Sequence, residues 1–271
     1  MFDSELPIAR RIEAADVQIG RMLVRASAAL YPREEASFVD LRGGYYATGG
    51  ESIAAEVVGM GLDGPVSDGE LDRLMELLSA RPAGASLRVA STAEPTLLPR
   101  LLMRGFSPVG TELCLARAVV LADKHAAATS GFSIQGLLPS RTTLWVSTVA
   151  RALSGGREPP MDLERALRVS AASEGFIGFF VVLGNEVIGA GGMMCVADIA
   201  SLFAHATNEY ARRRGVQQAL FRHSLAICAD RGIDWAKLNV PPETATARNA
   251  LRAGFTEVGT RTVLSGPTRS R

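Results

Sequence analysis

The stretch from Ile199 to Ala229 constrains this chain most, because it joins a buried strand, a basic turn and a helix. The apolar run 199–206 is typical of a buried strand. After a polar turn and the cluster RRRG at 212–215, apolar residues recur from Val216 at helical spacing. The first N–H groups of a helix lack partners within the helix, and the helix dipole favours an anion there. The stretch therefore predicts a phosphate-binding site.

Composition favours a globular protein. The chain has 271 residues, of which 47% are hydrophobic and 21% charged, which predicts a full core in one or two domains. The net charge of +1 offers no general attraction to nucleic acid or to a membrane surface, so neither is expected as a partner. We expect a cytoplasmic location, because the N-terminus shows no signal-peptide core and no apolar stretch suits a membrane span.

Cysteine and histidine positions do not indicate a metal site. Cys114, Cys195 and Cys228 lie far apart in apolar surroundings, and no pair has metal-ligand spacing. We expect free thiols and no bound metal.

The hydrophobic pattern alternates strands and helices, which predicts an α/β chain, and the two halves repeat one order of elements. In the first half these elements are the strand 52–62, helix 68–80, strand 86–90 and helix 95–104. In the second half they are the strand 199–206, helix 216–230, strand 235–240 and helix 244–253. A Gly-Phe pair and a final strand follow each series. The segment 121–131 lacks a strong apolar period and predicts a linker between domains 1–120 and 132–271.

Arg212-x-x-Gly215-x-Gln217, between a strand and a helix, resembles the pyrophosphate loop of the GNAT acyl-CoA N-acyltransferases, whose pattern is Arg/Gln-x-x-Gly-x-Gly/Ala. Gln217 departs from that pattern, which usually has a small residue there. The element order from 132 to 264 and the segment Thr244–Phe255 are also similar to the family. The resemblance implies two tandem GNAT-like domains, each a central mixed sheet flanked by helices.

The two predicted domains differ in their phosphate loops. The first-half turn, 63–67, contains no arginine and has acids nearby, so an anionic pyrophosphate is not expected there. Domain 1–120 is therefore predicted to be a degenerate copy without a cofactor loop. Domain 132–271 is predicted to be the acyl-CoA-binding catalytic domain.

The resemblance implies which residues bind acetyl-CoA as cosubstrate. The strand backbone is expected to pair with the pantetheine arm, and the loop to hold the pyrophosphate. The expected residues are His205, Ala206, Thr207, Arg212, Arg213, Arg214, Gly215, Val216, Gln217 and Asn249.

The sequence does not decide which groups are catalytic. The family often has a tyrosine four residues before the glycine of Gly-Phe, and here that residue is Ala250. His205 is either a base with a pKa near neutral or a hydrogen-bonded core histidine. Thr246 and Asn249 either act together or serve as a helix cap and an exposed residue. Glu174, Glu209 and Tyr210 either contact substrate or are simply solvated.

The sequence therefore predicts an N-acetyltransferase, which transfers an acetyl group from acetyl-CoA to a primary amine of a small molecule by direct attack. A homodimer is left open. One alternative is a non-catalytic acyl-CoA-binding sensor or scaffold. Another is a nucleotide site, although the chain lacks a Gly-rich loop with Lys-Ser/Thr.

Overall fold

The computed structural model describes residues 6–49, 53–79, 85–125 and 131–266. Contacts divide the chain into two compact units. Unit 1 contains Met1–Cys114, Asn239–Pro242 and Glu257–Arg271, and unit 2 contains Leu115–Leu238 and Glu243–Thr256. Within the described ranges, no helix has the length and apolar character needed to cross a membrane.

Unit 1 is built on a mixed sheet whose strands run in the order β1-β2-β3-β4-β11-β5. Its strands are β1 (Ser37–Leu41), β2 (Gly44–Gly49), β3 (Ile53–Val58), β4 (Ser86–Ala90), most of β11 (Thr256–Ser265) and the first part of β5 (Ser107–Ala118). Its helices are α1 (Ile8–Leu30), α2 (Asp68–Ser79) and α3 (Leu97–Met103). β3 and β4 are parallel, whereas β11 lies antiparallel to β4.

Two apolar clusters hold the helices of unit 1 on its sheet. Leu71 and Leu74 of α2 and Leu97 and Leu101 of α3 are fully buried in the first cluster. The second lies under α1, where Val17 and Val24 pack with residues of β2 and β3. Gly20 is required in α1, because a Cβ there would lie 1.8 Å from the Tyr45 hydroxyl.

Beneath α1 the core of unit 1 is charged. The Arg261 guanidinium donates through Nε to Glu13 at 3.0 Å and also binds the carboxylate of Asp16. Asn239 donates to the same Asp16 carboxylate at 2.9 Å. Burial acts to lower the pKa of Arg261, but the charges of Asp16 and Glu13 outweigh burial and raise it. The arginine therefore stays charged and neutralises part of the negative charge brought in by α1.

A second network of polar side chains connects neighbouring strands of the same unit. Arg88 on β4 binds Glu56 on β3 at 2.6 Å and Glu112 on β5 at 3.2 Å. The Tyr45 hydroxyl donates to Glu56 at 3.0 Å. Burial, followed by the nearby charge of Glu56, raises the pKa of Tyr45, so the phenol stays protonated.

Unit 2 has a mixed sheet in the order β5-β10-β9-β8-β7-β6, with the end of β5 as its first strand. Its other strands are β6 (Ser133–Gly136), β7 (Phe176–Leu183), β8 (Glu186–Val196), β9 (Ile199–Thr207) and most of β10 (Trp235–Val240). Its helices are α4 (Thr142–Leu153), α5 (Met161–Ala172), α6 (Val216–Arg231) and α7 (Ala245–Arg252). Trp145 of α4 and Phe180 of β7 are fully buried in one core cluster, and Leu220 of α6 is fully buried in another.

The predicted α/β architecture is confirmed, and most elements fall within two residues of their predicted bounds. α2 begins with a capping box, in which the Glu70 N–H donates to the Ser67 hydroxyl and the Ser67 N–H donates to the Glu70 carboxylate. The predicted strand 52–62 is shorter, because Gly59 and Gly61 take left-handed φ values of 79° and 83° and turn the chain.

The segment predicted as a linker is partly structured. Leu121–His125 forms a 3-10 turn, in which the Asp123 carboxylate binds Arg117 at 2.7 Å and accepts from the Val120 N–H. Residues 126–130 lie outside the described ranges. The contact units also differ from the predicted domains in placing most of β11 in unit 1, where it pairs with β4. Pairing between strands that are far apart in sequence produces no periodic pattern, so the sequence does not reveal which strands pair.

We expect Arg261→Leu to destabilise the protein strongly. The Arg261 and Glu13 side chains are only 4% and 5% exposed, so the substitution removes a buried guanidinium that binds Glu13 and Asp16. Removing one partner of such a pair costs about 3–5 kcal/mol. Urea unfolding of wild type and variant measures the change.

The control for this measurement is Arg73→Leu, which breaks the exposed Arg73–Glu76 pair. Exposed pairs contribute little, so the urea midpoint of the control should stay near that of the wild type. Equal midpoints for Arg261→Leu and Arg73→Leu would contradict the importance of the buried network.

Candidate functional site

β9 has one backbone edge that is open along most of its length. It pairs in parallel with β10 only at Ile199–Ser201, opposite Trp235–Lys237. On its other edge β9 pairs with β8 as far as Thr207. Within the described chain, the β10-facing edge from residue 202 to 207 has no strand partner in this register. Backbone N–H and C=O groups are therefore available there to an extended ligand.

A β-bulge lies in the middle of this open stretch. Phe203 of β9 pairs with Gly192 of β8, and Ala206 pairs with Ala190. Two β9 residues, Ala204 and His205, therefore stand opposite the single residue Gly191. Ala204 has a left-handed φ of 55°. The bulge bends the strand and changes the direction of the side chains that follow.

Trp145 of α4 supports the bulge from the core. Its indole N–H donates to the Gly191 carbonyl at 2.9 Å, and the side chain is fully buried. Gly191 itself cannot be replaced without movement, because a Cβ would lie 2.7 Å from Phe179 and 2.8 Å from His205. The bulge therefore rests on a hydrogen bond and a close contact that both involve Gly191.

The chain reaches α6 through a turn that leaves the start of the helix uncapped. Arg213 and Gly215 have φ values of 61° and 83°, and Gly215 is the residue before the first helical turn. No side chain caps the N-terminus of α6, and a Cβ at Gly215 would meet nothing within 4 Å. The first-turn N–H groups therefore lack a side-chain cap, as an anion site requires.

Side-chain hydrogen bonds fasten α7 to this helix start. Gln217 donates to the Thr246 hydroxyl at 3.2 Å and accepts from the Asn249 amide. Gln218 donates to the Asn249 carbonyl at 2.8 Å. Thr244 caps α7 by accepting from the Ala247 N–H at 3.1 Å. Thr246 and Asn249, which the sequence left open as catalytic residues, are thus held beside the first turn of α6.

Residues of β9, α6 and α7 line one cavity of about 690 Å³ in unit 2. It contains all of the residues expected to bind acyl-CoA except Arg214. Those residues are His205, Ala206, Thr207, Arg212, Arg213, Gly215, Val216, Gln217 and Asn249. It is also lined by Thr246 and by six residues that were not predicted from the sequence, which are Ala152, Leu153, Gln218, Ala245, Arg248 and Arg252. The spacing of Arg248, Asn249 and Arg252 on one predicted helix was a signal that could have identified the two arginines.

His205 forms part of the cavity wall but is poorly suited to accept a proton. Its ring packs with Phe179 and Phe221, and its Nε2 lies 3.3 Å from the Ser224 hydroxyl. Its Nδ1 is buried and has no hydrogen-bond partner among the described residues. Burial, together with the nearby His223, lowers the pKa of His205 to about 3. The imidazole is therefore neutral at pH 7, and its pKa is not near neutrality.

The other candidates do not enter the cavity. Glu174, Glu209 and Tyr210 are exposed, and the Tyr210 hydroxyl donates to Glu186 at 2.7 Å. That hydrogen bond raises the pKa of Tyr210. Ala250 is fully buried in α7, so the residue that aligns with the family's tyrosine contributes to packing.

The corresponding region of unit 1 is closed. β3 stays paired with β4 through Val58, the last residue of the strand. At the start of α2, the carboxylate of Glu70 accepts from the N–H of Ser67, and Asp68 binds Arg100 and Arg104. Hydrogen bonds from these partners lower the pKa of Asp68 and of Glu70. Acidic side chains therefore occupy the helix start that an anion would need.

We expect His205→Gln to reduce the acid sensitivity of folding. The pKa of His205 is about 3 in the folded protein and about 6.5 ordinarily, so the unfolded state binds more protons between these values. Folding stability should fall as pH decreases from 6.5 toward 3. Without this group the slope should decrease by up to about 1.4 kcal/mol per pH unit.

Urea unfolding between about pH 4 and 7 checks this slope. Ser224→Ala is the matched control, because it removes the hydroxyl near Nε2 and keeps the titrating ring. It should retain the wild-type slope. An unchanged slope in His205→Gln would contradict the low pKa.

The sequence matches no family model and no curated protein. Solved structures do match the fold. A GCN5-related N-acetyltransferase from Kribbella flavida superposes with a TM-score of 0.70 at 16% identity, over 97% of each chain. A second GCN5-related N-acetyltransferase, from Sphaerobacter thermophilus, has a TM-score of 0.59 at 14% identity, over 85% of this chain and 75% of that one.

A tandem GNAT protein from the clavulanic acid biosynthesis pathway has a TM-score of 0.56 at 12% identity, over 86% of this chain and 80% of its own. At such identities the likeness is one of fold. The strand order of unit 2, the uncapped start of α6 and these superpositions agree, and the chain has the GNAT fold over 97% of its length.

Proposed function

We propose that this protein is an N-acetyltransferase that transfers an acetyl group from acetyl-CoA to a primary amine of a small molecule. One observation carries the proposal, namely a single cavity that joins the open edge of β9 to the uncapped N-terminus of α6. The first feature suits the amide groups of a pantetheine arm, and the second suits a diphosphate. No carboxylate is found among the described residues that line this cavity.

The chain offers separate groups for each part of acetyl-CoA. Backbone groups of β9 from Ala204 to Thr207 would pair with the pantetheine amides. The N–H groups of the first turn of α6, with Arg212 and Arg213, would hold the diphosphate. The side chains of Thr246 and Asn249 would stand beside it, fixed by Gln217.

Acetyl-CoA supplies a thioester whose carbonyl carbon is open to attack by an amine nitrogen. The new C–N bond forms as the C–S bond breaks, the CoA thiolate leaves, and the nitrogen releases one proton. Holding both reactants in line supplies much of the rate. His205 is the only titratable group besides arginines in the described cavity lining, and its low pKa makes it a poor base. We therefore assign the proton to solvent water.

Gly215→Asp tests the diphosphate site. The substitution places a carboxylate at the N-terminus of α6, where it repels a diphosphate and competes for the same N–H groups. We expect acetyl-CoA affinity in calorimetry to fall at least about tenfold. Gly215→Asn is the matched control, since asparagine has nearly the same shape, tolerates positive φ and is uncharged. Equal losses in both variants would contradict an anion site.

The same titration should show one acetyl-CoA per chain. The start of α2 in unit 1 is capped by Ser67 and Glu70, and the last residues of β3 remain paired with β4. Two binding events per chain would show that unit 1 also binds the cosubstrate.

A non-catalytic acyl-CoA sensor or scaffold is the second candidate. Two observations favour it, namely Ala250 in place of a tyrosine and the low pKa of His205. Release of free CoA thiol from acetyl-CoA, measured against a panel of primary amines, separates the two functions. Amine-dependent thiol release supports the enzyme. Tight binding without release by any amine supports the sensor.

A further inference from the structure

The cavity of unit 2 carries more positive charge than the loop before α6 supplies. Arg212 and Arg213 come from that loop, whereas Arg248 and Arg252 come from α7. None of the described lining residues is acidic. A diphosphate at the helix start is already matched by two arginines and the helix N-terminus, so the α7 arginines exceed what that group requires.

The guanidinium groups of Arg248 and Arg252 remain available for an anion. Arg248 donates to the Glu243 carbonyl at 2.6 Å, and Arg252 donates to the Asn249 side-chain oxygen at 3.1 Å. Both acceptors are uncharged, and neither arginine forms an ion pair with a described residue. Because a guanidinium has five N–H donors, each keeps donors free after these contacts.

The position of these arginines is set by the structure around them. They lie four residues apart on one face of α7, while Ala247 and Ala250 are buried. The same face carries Thr246 and Asn249, which bind the first turn of α6 through Gln217. The hydrogen bonds that secure α7 therefore hold Arg248 and Arg252 in the wall of the cavity that contains the diphosphate site.

We propose that Arg248 and Arg252 form a second phosphate subsite, which binds the 3′-phosphate of CoA. This inference rests on the proposed function. CoA carries this phosphate on its ribose, near the diphosphate but separate from it, and dephospho-CoA lacks only this group. An anionic group on the acceptor is the other source of the same chemistry.

The test compares acetyl-CoA with acetyl-dephospho-CoA by calorimetry. The wild type should bind acetyl-CoA at least roughly tenfold more tightly than acetyl-dephospho-CoA, as expected for a charge-assisted pair of contacts. In Arg248→Gln/Arg252→Gln the ratio of the two dissociation constants should fall toward one. This ratio isolates the phosphate from a general loss of fold, because misfolding weakens the binding of both ligands.

A matched control removes two other exposed arginines of unit 2. Arg151→Gln/Arg222→Gln makes the same change in net charge, and neither residue lines the cavity. It should keep the wild-type ratio. Raising the salt concentration should reduce the ratio in the wild type, because exposed charges are screened.

The possible results separate failure of the 3′-phosphate subsite from failure of the proposed function. A wild-type ratio that collapses in the α7 variant and persists in the control supports the proposal. If acetyl-CoA binds but the wild-type ratio is near one, the α7 arginines serve a different anion, such as one on the acceptor, and the proposal is overturned while the proposed function stands. If the ratio persists in the α7 variant, the 3′-phosphate is bound elsewhere, which also overturns it. Absence of acetyl-CoA binding overturns both the subsite and the proposed function.

Discussion

The site in unit 2 depends on a strand that is paired along one edge and open along the other. A buried strand edge without partners is costly, so proteins usually cover it. Here β9 separates from β10 after Ser201, and a bulge at Ala204 and His205 changes its direction. The indole of Trp145 satisfies the Gly191 carbonyl opposite the bulge. The open edge is thereby maintained by core packing, and it leads to the start of α6.

The N-terminus of α2 in unit 1 and that of α6 in unit 2 differ in whether side chains cap their N–H groups. In unit 1 the first turn of α2 is satisfied internally, with Ser67 and Glu70 forming a capping box and Asp68 bound by arginines. In unit 2 the turn before α6 ends in Gly215, which provides no capping side chain. Free N–H groups and a nearby positive charge make the second arrangement receptive to an anion. The difference lies in a few side chains on otherwise similar strand–turn–helix segments.

Charge is distributed in a way that the net value of +1 conceals. In unit 1, Arg261 binds both Glu13 and Asp16 beneath α1, so these charges are paired within the protein. In the cavity of unit 2, Arg213, Arg248 and Arg252 have no carboxylate partner among the described residues. Positive charge without an internal partner, placed in a concave region, favours an anionic ligand.

The sequence alone determined the secondary structure closely, because apolar periods of two and 3.6 residues and the turns rich in glycine are local properties. It also predicted a basic turn before a helix from Arg212 to Gln217, since such a turn can be recognised without knowing its surroundings. Only the tertiary structure decided that β11 pairs with β4, because strand pairing depends on distant residues. It also decided that α7 brings Arg248 and Arg252 to the cavity, and that the burial of His205 lowers its pKa, since both depend on what packs around a residue rather than on its neighbours in sequence.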